Sequence, residues 1–327
     1  MSSAEDHSTI AFIGLGAMGK PMVANLAANL VRRGIVIRAY DIADGPAQEL
    51  QTNFPDVIQE ASSAKTAVSD ATVVFTMLPE SSHVRSVYLD PDSGIASTLG
   101  PDSAKILIDC STIDTATSLH VKSEVSKIAP RSFFYDCPVS VLARKFSRVQ
   151  QIGAVKGTIA FFMGCSPADT NLSRLKDLLL KMGSQAIPCG GPSLGLAAKL
   201  SNNYLSGIIT IATSEAMDMG MRAGIDRTIL ASVFASGTAQ NRQCDVFNPV
   251  PNVCPQAPSS NGYRGGFRVE LMKKDMGLAI AMARQVGAKN VLGMSGLGVY
   301  TAASAAEDCM GLDSRVVYRY LGGKESS

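Results

Sequence analysis

Tryptophan is absent from the 327 residues, and histidine occurs three times. The side chain most often used for proton transfer near neutral pH therefore has few places to act. His7 lies in the N-terminal stretch, His83 follows a strand pattern and His120 sits in a polar helical stretch, none with an evident acidic orienting partner. A basic block is also missing. Lys plus Arg is 30 against 28 for Asp plus Glu, a net +2, which gives no electrostatic footprint for nucleic acid or an anionic membrane. The longest apolar stretch, around Tyr204 to Thr213, falls short of the roughly 20 residues of a membrane span. Seven cysteines form no C-x-x-C pair, so neither a metal site nor a disulfide framework is expected, and the compartment reads as reducing. The opening "MSSAEDHST" is acidic and free of arginine, unlike a secretory or mitochondrial leader. These features predict a cytoplasmic protein with a small-molecule partner.

What is present is a chain long enough for two domains. Short β-branched runs alternate with helical patterns in the first half: "TIAFIG", "IVIRAY", "ATVVFTML", "AKILIDC", "SFFYDC" and "GTIAFFMG". Such alternation predicts an α/β fold with a doubly wound parallel sheet covered on both faces. After Ile187 the strand signal stops, and helical patterns follow over Leu196–Arg222, Val269–Val286, Met294–Met310 and Ser314–Leu321. We expect a disordered tail over residues 1–9, a dinucleotide-binding domain over 10–190 and an all-α domain over 191–327. Between Asn241 and Gly266 the chain is too rich in Pro, Gly and Asn to be regular.

The stretch "TIAFIGLGAMGKPM" places Gly14, Gly16 and Gly19 in G-x-G-x-x-G spacing between a strand and a helix. The first glycine permits the turn, the second lets the backbone approach a pyrophosphate, and the third allows the helix to pack on the strand. Leu15, Ala17 and Met18 complete the loop, whose following helix offers N–H groups to an anion. Asp41 ends the second strand 22 residues beyond Gly19, where a carboxylate binds ribose hydroxyls and repels a 2′-phosphate. NAD is therefore expected over NADP.

Lys199 stands apart from other charges in "GLAAKLSNNY". Burial would lower a lysine's pKa toward values useful for proton transfer, and Asn203, four residues on, shares its helical face.

"GLGAMGKPM", "TMLPES", "DCSTID", "DCPVS", "GLAAKLSNN", "NPVP", "YRGGF" and "MKKDMGLA", in this order, resemble the β-hydroxyacid dehydrogenase family over nearly the whole chain. The run from "FNPVP" through "SSNGYRGGF" is similar to its 3-hydroxyisobutyrate branch. The resemblance implies a Rossmann domain, a helical domain that makes a homodimer or homotetramer interface, and NAD-dependent oxidation of 3-hydroxyisobutyrate to methylmalonate semialdehyde in valine degradation. It makes Lys199 the catalytic acid/base and Asn203 a substrate holder, with Ser140 and Ser111 beside it. Leu78, Pro79, His83, Thr112 and Lys274 become cofactor contacts. It also implies a mitochondrial matrix location as the alternative compartment. Two rival readings stay open: an NADP-dependent reductase of a small semialdehyde or glyoxylate, and a non-catalytic NAD-binding protein.

The second rival is motivated by a departure. After "DCPVS", the family's glycine pair is replaced by Val141 and Leu142, and about nine residues are added where close backbone approach favours glycine. The stretch Val141–Ile152 fits an altered substrate loop, a lost activity or an incorrectly joined coding sequence. The last is preferred because both flanks keep the family pattern. Ser193 replaces a glycine and Thr115 a proline, and neither removes a reacting group.

Overall fold

The computed structural model describes residues 9–31, 34–141 and 154–325. Among these, one compact unit comprises the residues up to Lys199 and a second those from Leu200 onward.

In the first unit, β1 (Thr9–Ile13), β2 (Val36–Tyr40), β3 (Ile58–Glu60), β4 (Ala71–Thr76), β5 (Ile106–Asp109) and β6 (Phe133–Asp136) form a six-stranded sheet. Its order is β3-β2-β1-β4-β5-β6, and every pairing is parallel. This is the predicted doubly wound arrangement, and the switch in strand order lies between β1 and β4. The period of two explains why both faces are dry. Ile10 and Phe12 enter the core on one side with Met22, Leu26 and Phe75. Ala11 and Ile13 enter the other with Val74, Leu107 and Val121. The helices of this unit are α1 (Gly19–Ala28), α2 (Pro46–Asn53), α3 (Ala64–Val68), α4 (Ser81–Leu89), α5 (Thr115–Ile128) and α6 (Leu172–Leu179).

A smaller sheet follows, with β7 (Val139–Val141) antiparallel and β9 (Gly183–Pro188) parallel to a central β8 (Ile159–Met163). β3 and β7 span three residues each, and β9 carries Ile187 as its one β-branched residue, so none of the three stands among the strand runs quoted from the sequence. Thr9, placed by sequence in the tail, opens β1 because it pairs with Val36 and Ala71. Residues 142–153, which hold nearly all of the unusual insertion, lie outside the described residues.

The helix α7 (Leu194–Arg222) crosses from one unit into the other. In the second unit, α8 (Arg227–Ser236), α9 (Arg242–Asp245), α10 (Val269–Gln285), α11 (Gly293–Ala305) and α12 (Val317–Tyr320) follow. α8 was not foreseen, and the proline-rich stretch contains both α9 and a 3₁₀ turn at Pro258–Asn261. The core of this unit brings Met272, Met276 and Tyr300 against the partly buried Ile208 and Tyr204. Gly207 permits that approach: a Cβ there would stand 3.1 Å from the sulfurs of Met272 and Met276. The buried Tyr263 and Tyr300 hydroxyls donate to Pro249 O and Gly207 O, at 2.9 and 3.0 Å. Large apolar volume is thereby buried with no orphaned phenol.

Candidate active site

The three glycines of the first turn do different work. Gly14 has φ +93°, and a Cβ there would fall 2.3 Å from Met77 O; one on Gly19 would fall 1.9 Å from Gly14 O. Gly16, by contrast, would direct a Cβ into open space, with nothing within 4 Å. The fold demands the outer two glycines, whereas the exposed central one keeps clear a surface that the protein itself does not fill. Leu15 beside it is buried, Ala17 is exposed and Met18 is half-buried. Met18 caps α1 with no side-chain hydrogen bond, and the first turn holds no acid. A helix start that no side chain covers, behind a bare glycine, suits a pyrophosphate, so the residues fit a dinucleotide.

Asp41 lies directly after β2. Its carboxylate accepts hydrogen bonds from the N–H groups of Leu15 and Ala43, which ties the end of the second strand to the glycine loop.

A row of register partners crosses the C-terminal edge of the sheet. Ile13 pairs with Thr76, Thr76 with Asp109, and Asp109 with Asp136. Asp109 is fully buried and accepts from the hydroxyls of Thr76 (2.8 Å) and Ser111 (2.5 Å). Burial raises its carboxyl pKa against these hydrogen bonds. Ser111 in turn accepts the N–H of Leu78 at 2.8 Å. The Ser111 hydroxyl is buried and bonded to Asp109 and to the Leu78 backbone, so it supports the 78–79 loop. Leu78 is half-buried, Pro79 exposed and Thr112 half-buried, all in the loops that follow β4 and β5. His83 is exposed in the first turn of α4. His120 does have an acidic neighbour, contrary to the sequence reading: Glu124 lies 3.9 Å away, one turn along α5, and both side chains are partly exposed.

Asp136 begins the second half of the constellation. Its Oδ1 accepts the Ser193 N–H at 2.7 Å and its Oδ2 the Leu196 N–H at 2.9 Å. Ser193 has φ +65°, the left-handed conformation glycine adopts without strain, which explains why serine is unusual there. Thr115 is equally legible: it is the first residue of α5, behind the Asp114 cap, a position that favours proline but does not require it. Five residues into α7 from its start, Lys199 is 5% exposed, and Asn203, one turn further, is 6% exposed.

Within the second unit, the Asn203 amide donates to Asp275 Oδ2 at 2.6 Å, while its Oδ1 accepts from Asn202 at 3.0 Å. Asp275, buried in α10, also lies 3.5 Å from the ammonium of Lys274 through its other oxygen. Asp275 is a residue sequence reasoning missed, although "KKD" lay in a motif already singled out. Ser140 sits half-buried in β7, opposite Ala160 of β8.

Residues 9–191 match the family described as the NAD binding domain of 6-phosphogluconate dehydrogenase. Residues 194–321 match the one described as NAD-binding of NADP-dependent 3-hydroxyisobutyrate dehydrogenase. A probable mitochondrial 3-hydroxyisobutyrate dehydrogenase from Dictyostelium discoideum is 36% identical over 98% of this chain and 92% of its own. An NAD-dependent L-serine dehydrogenase from Pseudomonas aeruginosa is 34% identical over 89% of this chain and 90% of its own. The solved Mycobacterium tuberculosis 3-hydroxyisobutyrate dehydrogenase with L-serine superposes with a TM-score of 0.84 at 32% identity, covering 96% of this chain and 99% of that one. A glycine cradle shaped for a dinucleotide, a buried lysine one turn from an asparagine, and likeness along the whole chain converge: this chain belongs to the β-hydroxyacid dehydrogenase family of NAD-binding oxidoreductases and is most like its 3-hydroxyisobutyrate dehydrogenases.

Proposed function

We propose that the chain oxidises 3-hydroxyisobutyrate to methylmalonate semialdehyde, with Lys199 accepting the hydroxyl proton. The observation that carries this reading is Lys199 itself, an amine that is 5% exposed and one helical turn from Asn203. NAD, when bound, supplies the acceptor for the hydride that leaves the carbinol carbon. Gly14 to Gly19 would hold its pyrophosphate, Asp41 its ribose, and the loops at Leu78, Pro79 and Thr112, with His83 and Lys274, its remaining contacts.

The chain's own chemistry is proton transfer and orientation. Hydride can leave the carbinol carbon only as the oxygen sheds its proton, so a base beside that oxygen lowers the barrier. A neutral Lys199 meets that need and is regenerated by passing the proton on. Ser140 and Asn203 would hold the substrate carboxylate. The Asn203 amide has two hydrogens; one is directed to Asp275, which fixes the plane in which the other is offered.

A second reading, L-serine as substrate, is favoured by the Pseudomonas relative and by the ligand of the Mycobacterium structure. L-Serine is also a β-hydroxyacid, with an ammonium group where 3-hydroxyisobutyrate has a methyl. Titration with NAD, then turnover of 3-hydroxyisobutyrate, L-serine and 3-hydroxypropionate, separates the two. We expect NAD binding and the highest kcat/KM for 3-hydroxyisobutyrate. A higher value for L-serine transfers the assignment, and turnover of none of the three overturns both.

A further inference from the structure

The carboxylate of Asp136 has no part in the chemistry above, yet it is buried, 2% exposed, at the end of β6. Two glycines make room for it. A Cβ on Gly164 would stand 1.8 Å from Asp136 Oδ1, and one on Gly195 would stand 2.8 Å from Oδ2 and 2.2 Å from Phe162 O. The Gly164 N–H also donates to the backbone carbonyl of Asp136 at 2.7 Å. The space is therefore shaped around this side chain from the β8–α6 connection on one side and the start of α7 on the other. Its two oxygens then take the N–H groups of Ser193 and Leu196, one apiece.

Those two N–H groups belong to the entry of α7, where a helix has donors with no carbonyl of its own to meet. Leu196 precedes Lys199 by less than one turn. Ser193 holds a left-handed backbone, φ +65°, that a β-carbon disfavours, and its N–H bond to Asp136 helps keep it there. Resting on the functional reading just given, we propose that Asp136 is a positioning residue: by capping α7 from β6 it fixes where Lys199 meets the hydroxyl of the substrate.

The cap depends on charge. An ionised carboxylate accepts at both oxygens, whereas a protonated one keeps a single good acceptor. Burial raises the Asp136 pKa to about 7, opposed by the hydrogen bonds from Leu196 and Ser193 and reinforced by the charge of Asp109. The titratable groups facing it are Asp109 on β5 and Cys137, Cys165 and Cys189 at the ends of β6, β8 and β9. Lys199 follows on α7 itself. The cap should therefore tighten as the pH rises through about 7.

The test compares the full-length wild type with Asp136→Asn, which keeps the size and one acceptor, and Asp136→Ala, which keeps neither. Asp136→Asn should bind NAD within about twofold of wild type and keep its KM for 3-hydroxyisobutyrate, while kcat falls about tenfold from displacement of the base. The acid-side break near pH 7 in the wild-type kcat/KM profile should vanish in this variant. Asp136→Ala should lose more turnover than Asp136→Asn. Unchanged kcat with the break retained in Asp136→Asn overturns the proposal, and so does a loss shared equally by NAD affinity and turnover with the break retained. Amide hydrogen exchange gives a readout independent of substrate: residues 194–200 should exchange faster in Asp136→Asn while β1 and β4 stay protected. If the wild type turns over no β-hydroxyacid, the functional reading fails, and the exchange result alone decides the role of Asp136. Unaltered exchange at the start of α7 then sinks it.

Discussion

Lys199 is a buried amine on a long helix, and its proposed task differs from that of every residue around it. Lys199→Ala should leave NAD affinity within a few fold, because the residue lies far along the chain from the glycine cradle. Turnover should drop by roughly 10²–10⁴, the usual contribution of a general base. Lys199→Arg should not restore it, since a guanidinium keeps its proton at any pH the protein survives and is broader than an ammonium. Steady-state kinetics beside NAD titration measure both quantities, and near-normal turnover in the alanine variant would return Lys199 to a structural role. The signal for Lys199 was legible because isolation of a charge among apolar residues is a one-dimensional property. The bonds of Ser111 were legible only in part: Asp109 stands two residues before it, whereas the Leu78 N–H is 33 residues away and is brought there by the pairing of β4 with β5.

At the scale of the element, the β1–α1 turn separates what the fold requires from what a ligand requires. Gly14→Ala meets both a positive φ and Met77 O at 2.3 Å, so it should destabilise the protein by more than the roughly 1 kcal/mol of a left-handed backbone alone. Gly16→Ala meets no atom within 4 Å, and its thermal midpoint should stay within a degree or two of wild type. Its NAD affinity should nevertheless fall tenfold or more, about 1.4 kcal/mol, because the new methyl occupies the pyrophosphate's approach. Thermal melts and calorimetric titration of the pair would show the reversal. Equal NAD affinity in Gly16→Ala and wild type would mean that the dinucleotide takes another path. The spacing of these glycines revealed the turn; only the packing revealed which of them faces empty space.

The whole molecule has an electrostatic consequence that no single element shows. An aspartate titrates near 3.9 when unfolded, whereas burial holds Asp136 at about 7 when folded. Between those values the folded state binds the proton and the unfolded state does not. The stability this contributes is complete below about pH 4 and is lost as the pH rises through about 7. The raised carboxyl of Asp109 acts in the same direction. The thermal midpoint of the wild type should therefore decline from pH 5 to pH 8, as followed by calorimetry at constant ionic strength. Asp136→Asn should show a shallower slope over the same interval. A wild-type midpoint that rises across the window would contradict the burial assigned to this acid. The proposed cap and this slope are two sides of one arrangement: the ionised form that holds α7 best is the form that burial disfavours.

The amino-acid sequence by itself determined the alternation of strand and helix, the glycine turn, the acid after β2, and the lysine and asparagine one turn apart. Each is written in residues that are neighbours along the chain, where period, spacing and backbone freedom act locally. It also carried the family likeness, through short motifs in a fixed order. The tertiary structure alone decided that Asp109 and Asp136, each in the "DC" pair of a quoted motif, stand side by side on β5 and β6. It alone decided that one serves the Leu78 loop through Ser111 while the other caps α7, and that Asp275 fixes the amide of Asn203. Strand register and helix packing join residues far apart in sequence, and the free energy that selects those pairings comes from burying the whole sheet and its helices at once. No local pattern of residues encodes that partnership.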